Sequence, residues 1–190
     1  LFLDKNTIQY KFLETNSLLK TTAKLISEQK VIGWFQDKME WGPRALGNRS
    51  ILADPRMKEM KDILNEKIKH RESFRPFAPS ILEEFTSEYF ELDLPSPYML
   101  LVAKVKKPDK IPAVTHVDGT GRLQTVSRNT NQLYYDLINE FFKITNVPVL
   151  VNTSMNVRGE PIVNTPEHAF NMLVKTDMDY LVIGNYIIQR

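Results

Sequence analysis

The 190-residue chain contains no cysteine, three histidines and only seven glycines. Without thiols there is no disulfide scaffold, no thiolate zinc site and no cysteine nucleophile, and the composition fits a reducing, cytoplasmic compartment. The histidines at 70, 116 and 168 are too far apart in sequence to suggest a metal cluster, so no tightly bound metal is expected. No apolar run approaches the roughly 20 residues of a membrane span. The opening segment LFLDKNTIQYKFLE carries charges through its apolar part and makes a poor secretory signal. It begins at Leu, not Met, and reads as the start of a fragment of a longer protein. An excess of one charge is also missing: 25 Lys and Arg face 23 Asp and Glu, a formal net charge of +2. With no interleaving of aromatic and basic residues, tracking along nucleic acid is disfavoured.

What is present is an ordinary globular composition, 42% hydrophobic and 25% charged, long enough for a self-sufficient core. Helical periodicity predicts helices over 13–30, 57–69 and 131–145, and Pro166 opens another. Strands are predicted at 31–36, 50–54, 99–105, 122–127, 147–151, 180–184 and 186–188, and 80–90 is expected to hold a short strand and a short helix. Segments 37–49, 70–79 and 152–164 read as loops. The elements intermix without regular βαβ alternation. The fold class is therefore α/β of the α+β type: one domain over 1–190, with a twisted mixed sheet and flanking helices.

Nine arginines are unevenly placed: none precedes residue 44, and five lie between Arg44 and Arg75. Arginine binds planar oxyanions bidentately and stays charged, which suits phosphate or carboxylate recognition. Four segments carry candidate chemistry. In GPRALGNRS (42–50) the glycines have P-loop spacing, but Asn48-Arg49-Ser50 replaces Lys-Ser/Thr and a strand is predicted to follow. A Walker A loop is thereby rejected. What remains is a loop able to turn backbone N–H groups toward an anion, with Arg44 and Arg49 beside it, or a tight turn whose arginines make structural ion pairs. KHRESFR (69–75) gathers Lys69, Arg71 and Arg75 at a helix end and on a proline-stiffened loop. NTSMNVRGEP (152–161) offers the short hydroxyl and amide groups of Asn152, Thr153, Ser154 and Asn156 beside Arg158 and Gly159, directly after a buried strand, a common ligand position that is also rich in turn residues. In HVDGTGRLQTVSR (116–128), Arg122 and Gln124 share one face of the predicted strand. His116 is an acid/base candidate, although a lone histidine is more often structural. No catalytic triad, carboxylate pair or metal spacing stands out, so the chemistry indicated is anion binding with transfer of an activated group.

Together GWFQDKMEWGPRALGNRSILADPR, IKHRESFRPFAPS, HVDGTGRLQTV and VNTSMNVRGEPIV resemble the C-terminal domain of the nodulation-protein/cephamycin-type O-carbamoyltransferases, over about residues 31–188. That domain is similar to the YrdC-like fold, whose small signatures match Lys69-x-Arg71 and Ser154-x-Asn156 here. The resemblance implies that carbamoyl phosphate and ATP, with Mg2+ on the phosphates, give carbamoyl-adenylate and pyrophosphate. The carbamoyl group would then pass to a hydroxyl acceptor in an N-terminal actin-like domain that lies outside this chain. On that basis Lys69, Arg75, Ser154 and Asn156 are expected to be catalytic. Arg44, Arg49, Lys69, Arg71, Arg75, Arg122, Ser154, Asn156 and Arg158 are expected to bind the nucleotide and carbamoyl phosphate. Two alternatives stay open: a non-catalytic nucleotide- or RNA-binding module, and an enzyme resembling threonylcarbamoyl-adenylate synthases.

Overall fold

The structure is a computed structural model that describes residues 2–190. A short helix, α1 (Phe2–Lys5), and strand β1 (Lys11–Phe12) precede α2 (Thr15–Ser27). Helix α2 buries Leu18, Leu19, Thr22, Ala23 and Ile26, the face that its 3.6-residue periodicity defines. Strands β2 (Ile32–Phe35) and β3 (Arg49–Ala53) are buried at every position, which is why they lack the alternation of a half-exposed strand. Helix α3 (Met60–Ile63) widens into a π-helix over Leu64–Lys69. There follow β4 (Ala78–Leu82), a 3-10 turn (Glu83–Phe85), α4 (Thr86–Tyr89) and β5 (Val102–Lys104). After a second 3-10 turn (Pro112–Val114) come β6 (Thr120–Arg122) and β7 (Gln124–Val126). Helix α5 (Gln132–Thr145) is capped by Asn131, whose side chain accepts from the Tyr134 amide. Strand β8 (Val149–Ser154), α6 (Pro166–Lys175), β9 (Tyr180–Ile183) and β10 (Tyr186–Gln189) complete the chain.

Eight strands form one mixed sheet in the order β1-β10-β9-β2-β3-β8-β4-β7. The β2–β9 and β4–β7 pairs are parallel and the others antiparallel. Strands β5 and β6 make a separate two-stranded ladder. Helix α2 packs against α5, and α6 against β9 and β2. A single apolar cluster runs through the sheet and these helices, with Trp34, Phe90, Tyr134 and Phe141 among its largest fully buried side chains.

Four predicted elements differ from those found, each for a local reason. The helix over 57–69 is α-helical only at Met60–Ile63; beyond it the amides of His70 and Arg71 both return to the Asn65 carbonyl, and His70 closes the turn in the left-handed region at φ 48°. The strand predicted at 122–127 is two strands in two sheets, with buried Leu123 between them, so Arg122 and Gln124 do not share a strand face. The strand predicted at 99–105 shortens to Val102–Lys104, since Met99 has φ 55°. The loop predicted from residue 152 begins later, because Asn152, Thr153 and Ser154 pair with Leu52, Ile51 and Ser50 as part of β8. Polar residues in a central strand are poor strand signals, yet hydrogen bonds to neighbouring groups make their burial tolerable.

Candidate functional site

The polar end of β8 is the floor of the site. A cavity of about 90 Å³ opens above it, lined by Asn152, Thr153 and Ser154 of β8 and by Arg44, Arg71 and Arg122 from three other segments. Arg44 comes from the β2–β3 loop, Arg71 from the loop after the π-helix, and Arg122 from the end of β6. None of the three guanidiniums lies within ion-pair distance of a carboxylate among the described residues. Arg71 donates through Nε to Asn65 Oδ1 at 2.7 Å and lies 4.8 Å from the centre of the Phe77 ring. Arg122 Nε is buried without a partner. Burial and the neighbouring Arg44 both push the Arg122 guanidinium below the usual arginine range. Burial, and then Arg75, do the same to Arg71, opposed by Glu72. Cations gathered with no carboxylate in direct contact raise the energy of the site, and an anion placed among them lowers it.

Each arm has its own support. Glu40 organises the β2–β3 loop: its Oε1 accepts from the amides of Leu46 at 2.7 Å and Asn48 at 3.0 Å, and its Oε2 from the Arg49 amide at 3.1 Å. Burial raises the Glu40 pKa against those same amides, which lower it. The amides that the glycine spacing offered to an external anion are therefore spent on the loop's own carboxylate. Asn65, fully buried, clamps the Arg71 loop: its Nδ2 donates to the carbonyls of Ser73 at 3.2 Å and Arg75 at 3.0 Å while its Oδ1 holds Arg71.

Lys69 ties two motifs together. Its Nζ donates to Ser154 O at 2.6 Å, Asn156 Oδ1 at 2.7 Å, Asn156 O at 2.9 Å and Ser154 Oγ at 3.3 Å. Ser154 Oγ also donates to Asn156 Oδ1 at 2.7 Å. Burial, and then the charge on Arg71, push this lysine down to about 7. Lys69 holds the turn after β8 and touches the cavity through Ser154.

Of the nine residues expected to bind ligand, the structure brings Arg44, Arg71, Arg122 and Ser154 to one cavity, with Lys69 and Asn156 directly behind Ser154. It turns Arg49 elsewhere. Arg49 is buried, its guanidinium donates to the carbonyls of Gln36, Asp37 and Asn48, and it stacks 3.7 Å from the centre of the Phe35 ring. Those carbonyls take up the terminal nitrogens of a cation that the sequence suggested for an external anion, and its Nε is buried without a partner. Arg75 and Arg158 converge on one carboxylate, Glu72, at 3.0 and 3.2 Å, on the exposed rim. His116 lines a neighbouring cavity of about 370 Å³ with Lys61, Phe74, Pro76 and Val117; Pro76 borders both cavities. Burial lowers the His116 pKa, opposed by Asp118 and reinforced by Arg122.

Glu40 and Asn65 had no assigned role in the sequence reading, Gln124 was placed only beside Arg122 on a strand face, and Asn152 was offered only as one polar group of its loop. Asn65 carried a usable signal, a polar residue on the same helical face as buried Leu64 and Ile68. Asn152 carried one too, a polar side chain immediately after a wholly apolar strand. Gln124 and Glu40 carried none, since their partners are brought in by the fold.

The family model described as "Carbamoyltransferase C-terminus" matches residues 23–190. The chain is 49% identical to "Nodulation protein NolO" of Bradyrhizobium diazoefficiens, over 93% of this chain and 33% of that protein. The chain spans a quarter to a third of the length of the curated relatives it matches. Among solved structures, full-length HypF in its phosphate- and nucleotide-bound form superposes with a TM-score of 0.63 at 20% identity, over 90% of this chain and 25% of that one. P. abyssi Sua5 complexed with L-threonine superposes with a TM-score of 0.65 at 15% identity, over 92% of this chain and 48% of that one. The fold is thus the YrdC-like mixed α/β fold of those two proteins.

Proposed function

The chain belongs to the carbamoyltransferase C-terminal family, and from that premise we propose that its arginine-lined cavity is where carbamoyl phosphate and ATP are converted to carbamoyl-adenylate. One observation carries the reading: three guanidiniums without a carboxylate partner surround a cavity at the end of β8. The phosphate of carbamoyl phosphate supplies the missing counter-charge. Water and carbamoyl phosphate give carbamate and phosphate. A carbamate oxygen then attacks the α-phosphorus of ATP, a P–O bond forms, and the bond to the leaving pyrophosphate breaks. Both partners are anions, so the residues' work is to hold them together and to stabilise charge on the transferring phosphoryl group. Arg44, Arg71 and Arg122 do this directly, Ser154 Oγ adds a hydroxyl donor once it turns from Asn156 Oδ1, and Lys69 fixes the turn that carries it. The adjoining cavity beside Phe74 and His116 suits the nucleoside, with the exposed Phe74 ring as a stacking surface.

Magnesium enters this reading with ATP. The cavity wall is cationic, and among the described residues no group of three or more His, Asp or Glu is placed to hold a metal. Such a wall does not suit a resident divalent ion, whereas phosphate oxygens do. The hydroxyl acceptor and its binding surface belong in this reading to the part of the longer relatives that this chain does not match. Exchange of labelled pyrophosphate into ATP tests the proposal. Exchange that depends on carbamoyl phosphate and is lost in Arg122→Met supports it; exchange without carbamoyl phosphate, or none under any condition, contradicts it.

A further inference from the structure

Arg71 and Arg75 stand on one short loop and are held in opposite ways. Arg75 pairs with the Glu72 carboxylate at 3.0 Å on the rim. Arg71 has no carboxylate within ion-pair distance among the described residues. Its guanidinium meets the Asn65 side-chain oxygen at 2.7 Å, the Pro76 carbonyl at 3.5 Å and the face of the Phe77 ring. These supports are neutral, so Arg71 is fixed in place with its charge uncompensated.

One buried residue makes this arrangement. The Asn65 backbone carbonyl accepts from the amides of His70 and Arg71, its Oδ1 accepts from Arg71 Nε, and its Nδ2 donates to the carbonyls of Ser73 at 3.2 Å and Arg75 at 3.0 Å. The amide can sit in only one orientation, because Arg71 Nε can only donate and the two carbonyls can only accept. In an α-helix the Asn65 carbonyl would close on the Lys69 amide; the π-helical register passes it to His70 and Arg71 instead. A carboxylate at position 65 would hold Arg71 Nε equally well. It would also cancel the charge and set acceptors against the Ser73 and Arg75 carbonyls.

We propose that Asn65 is a positioning residue for anion binding: it aims Arg71 at the cavity before any ligand arrives and, being neutral, leaves the whole charge for that ligand. The inference rests on reading the cavity as an anion seat. An arginine on a free loop loses rotamer freedom when it captures an anion, and that loss weakens binding. Here Nε is already committed to Asn65, so the freedom is given up on folding, and the terminal nitrogens of Arg71 are left to face the ligand. Asn65 does not itself line the cavity and acts through Arg71.

Two measurements on the whole chain test this role. With no anion present, NMR should show the Arg71 Nε–H exchanging with water about tenfold or more slowly than that of exposed Arg128. Calorimetric titration with inorganic phosphate and with carbamoyl phosphate should show about three- to tenfold weaker binding in Asn65→Ser. Adding Asn65→Ser to Arg71→Met should cause no further loss. An Arg71 Nε–H that exchanges as fast as that of Arg128 overturns the proposal whether or not either variant folds. So does a loss that persists at full size in the Arg71→Met background, since Asn65 would then be a general support of the loop. If phosphate shows the expected pattern and carbamoyl phosphate does not bind, the role of Asn65 is supported and the carbamoyl phosphate reading is removed. Failure of both probes to bind the unaltered chain removes the anion seat, and the role of Asn65 with it.

Discussion

Lys69 shows how one side chain can join two motifs that are 85 residues apart. Lys69 is 4% exposed, and its ammonium is met by four oxygens from Ser154 and Asn156. Burial, then Arg71, hold its pKa at about 7 against an ordinary 10.5. Two pH effects of opposite sign follow. Between about 7 and 10.5 the unfolded chain keeps a proton that the folded chain has released, so this group's destabilising contribution is full below about 7 and is relieved as pH rises. Anion binding runs the other way, because raising pH through about 7 removes a positive charge and one donor from behind Ser154. Sulfate is a suitable probe, since it does not titrate in this range. Its affinity is expected to fall by about three- to tenfold from about pH 6 to about pH 8, and the slope should flatten in Lys69→Met. A profile identical in the two proteins would remove Lys69 from the electrostatics of the site.

At the scale of elements, short segments with unusual backbones set the arms. The β2–β3 loop is held by Glu40 at one end and by close approach of Gly47 to Tyr134 at the other. Gly47 has φ 116°, and a Cβ there would come within 2.3 Å of the Tyr134 ring, which sits in the core under α5. Gly47→Ala must therefore adopt a strained backbone and displace a buried aromatic ring. It should destabilise the protein by about 2–4 kcal/mol, read by chemical denaturation. It should also weaken anion binding, because Arg44 rides on the same loop. Unchanged stability would show that the loop is not pinned to the core in this way. This part of the site was only half legible in sequence. GPRALGNRS announced a special loop and Arg44 within it, but the carboxylate that consumes its amides lies at Glu40, outside the motif. The π-turn was hidden for a related reason: 57–69 has good helical periodicity, and only the polar Asn65 on its apolar face marked a helix that widens to anchor the Arg71 loop. The split between β6 and β7 follows from pairing with two different partners, β5 and β4, which a local period of two cannot reveal.

Across the whole molecule, the mixed sheet and its helices were readable because α2, α5, β2 and β9 have strong apolar periodicity or continuous apolar runs. The order of the strands was not, since β2, beside its sequence neighbour β3, also pairs in parallel with β9, well over a hundred residues away. That order brings three distant segments, those of Arg44, Arg71 and Arg122, onto the end of β8. It also separates the arginines into two classes: Arg44, Arg71 and Arg122 around the cavity without carboxylates, and Arg75 and Arg158 on the rim with Glu72. The central claim is that the first class is the anion seat. Calorimetric titration of carbamoyl phosphate into the unaltered chain, Arg122→Met and Arg158→Met tests it most directly. The account predicts that Arg122→Met loses about tenfold or more in affinity, the worth of a charge-assisted contact, while the melting temperature holds or rises as like-charge repulsion is relieved. Arg158→Met should change affinity by less than about threefold, since that cation is solvated and already paired. Equal losses in the two variants, or a larger loss in Arg158→Met, would contradict the claim.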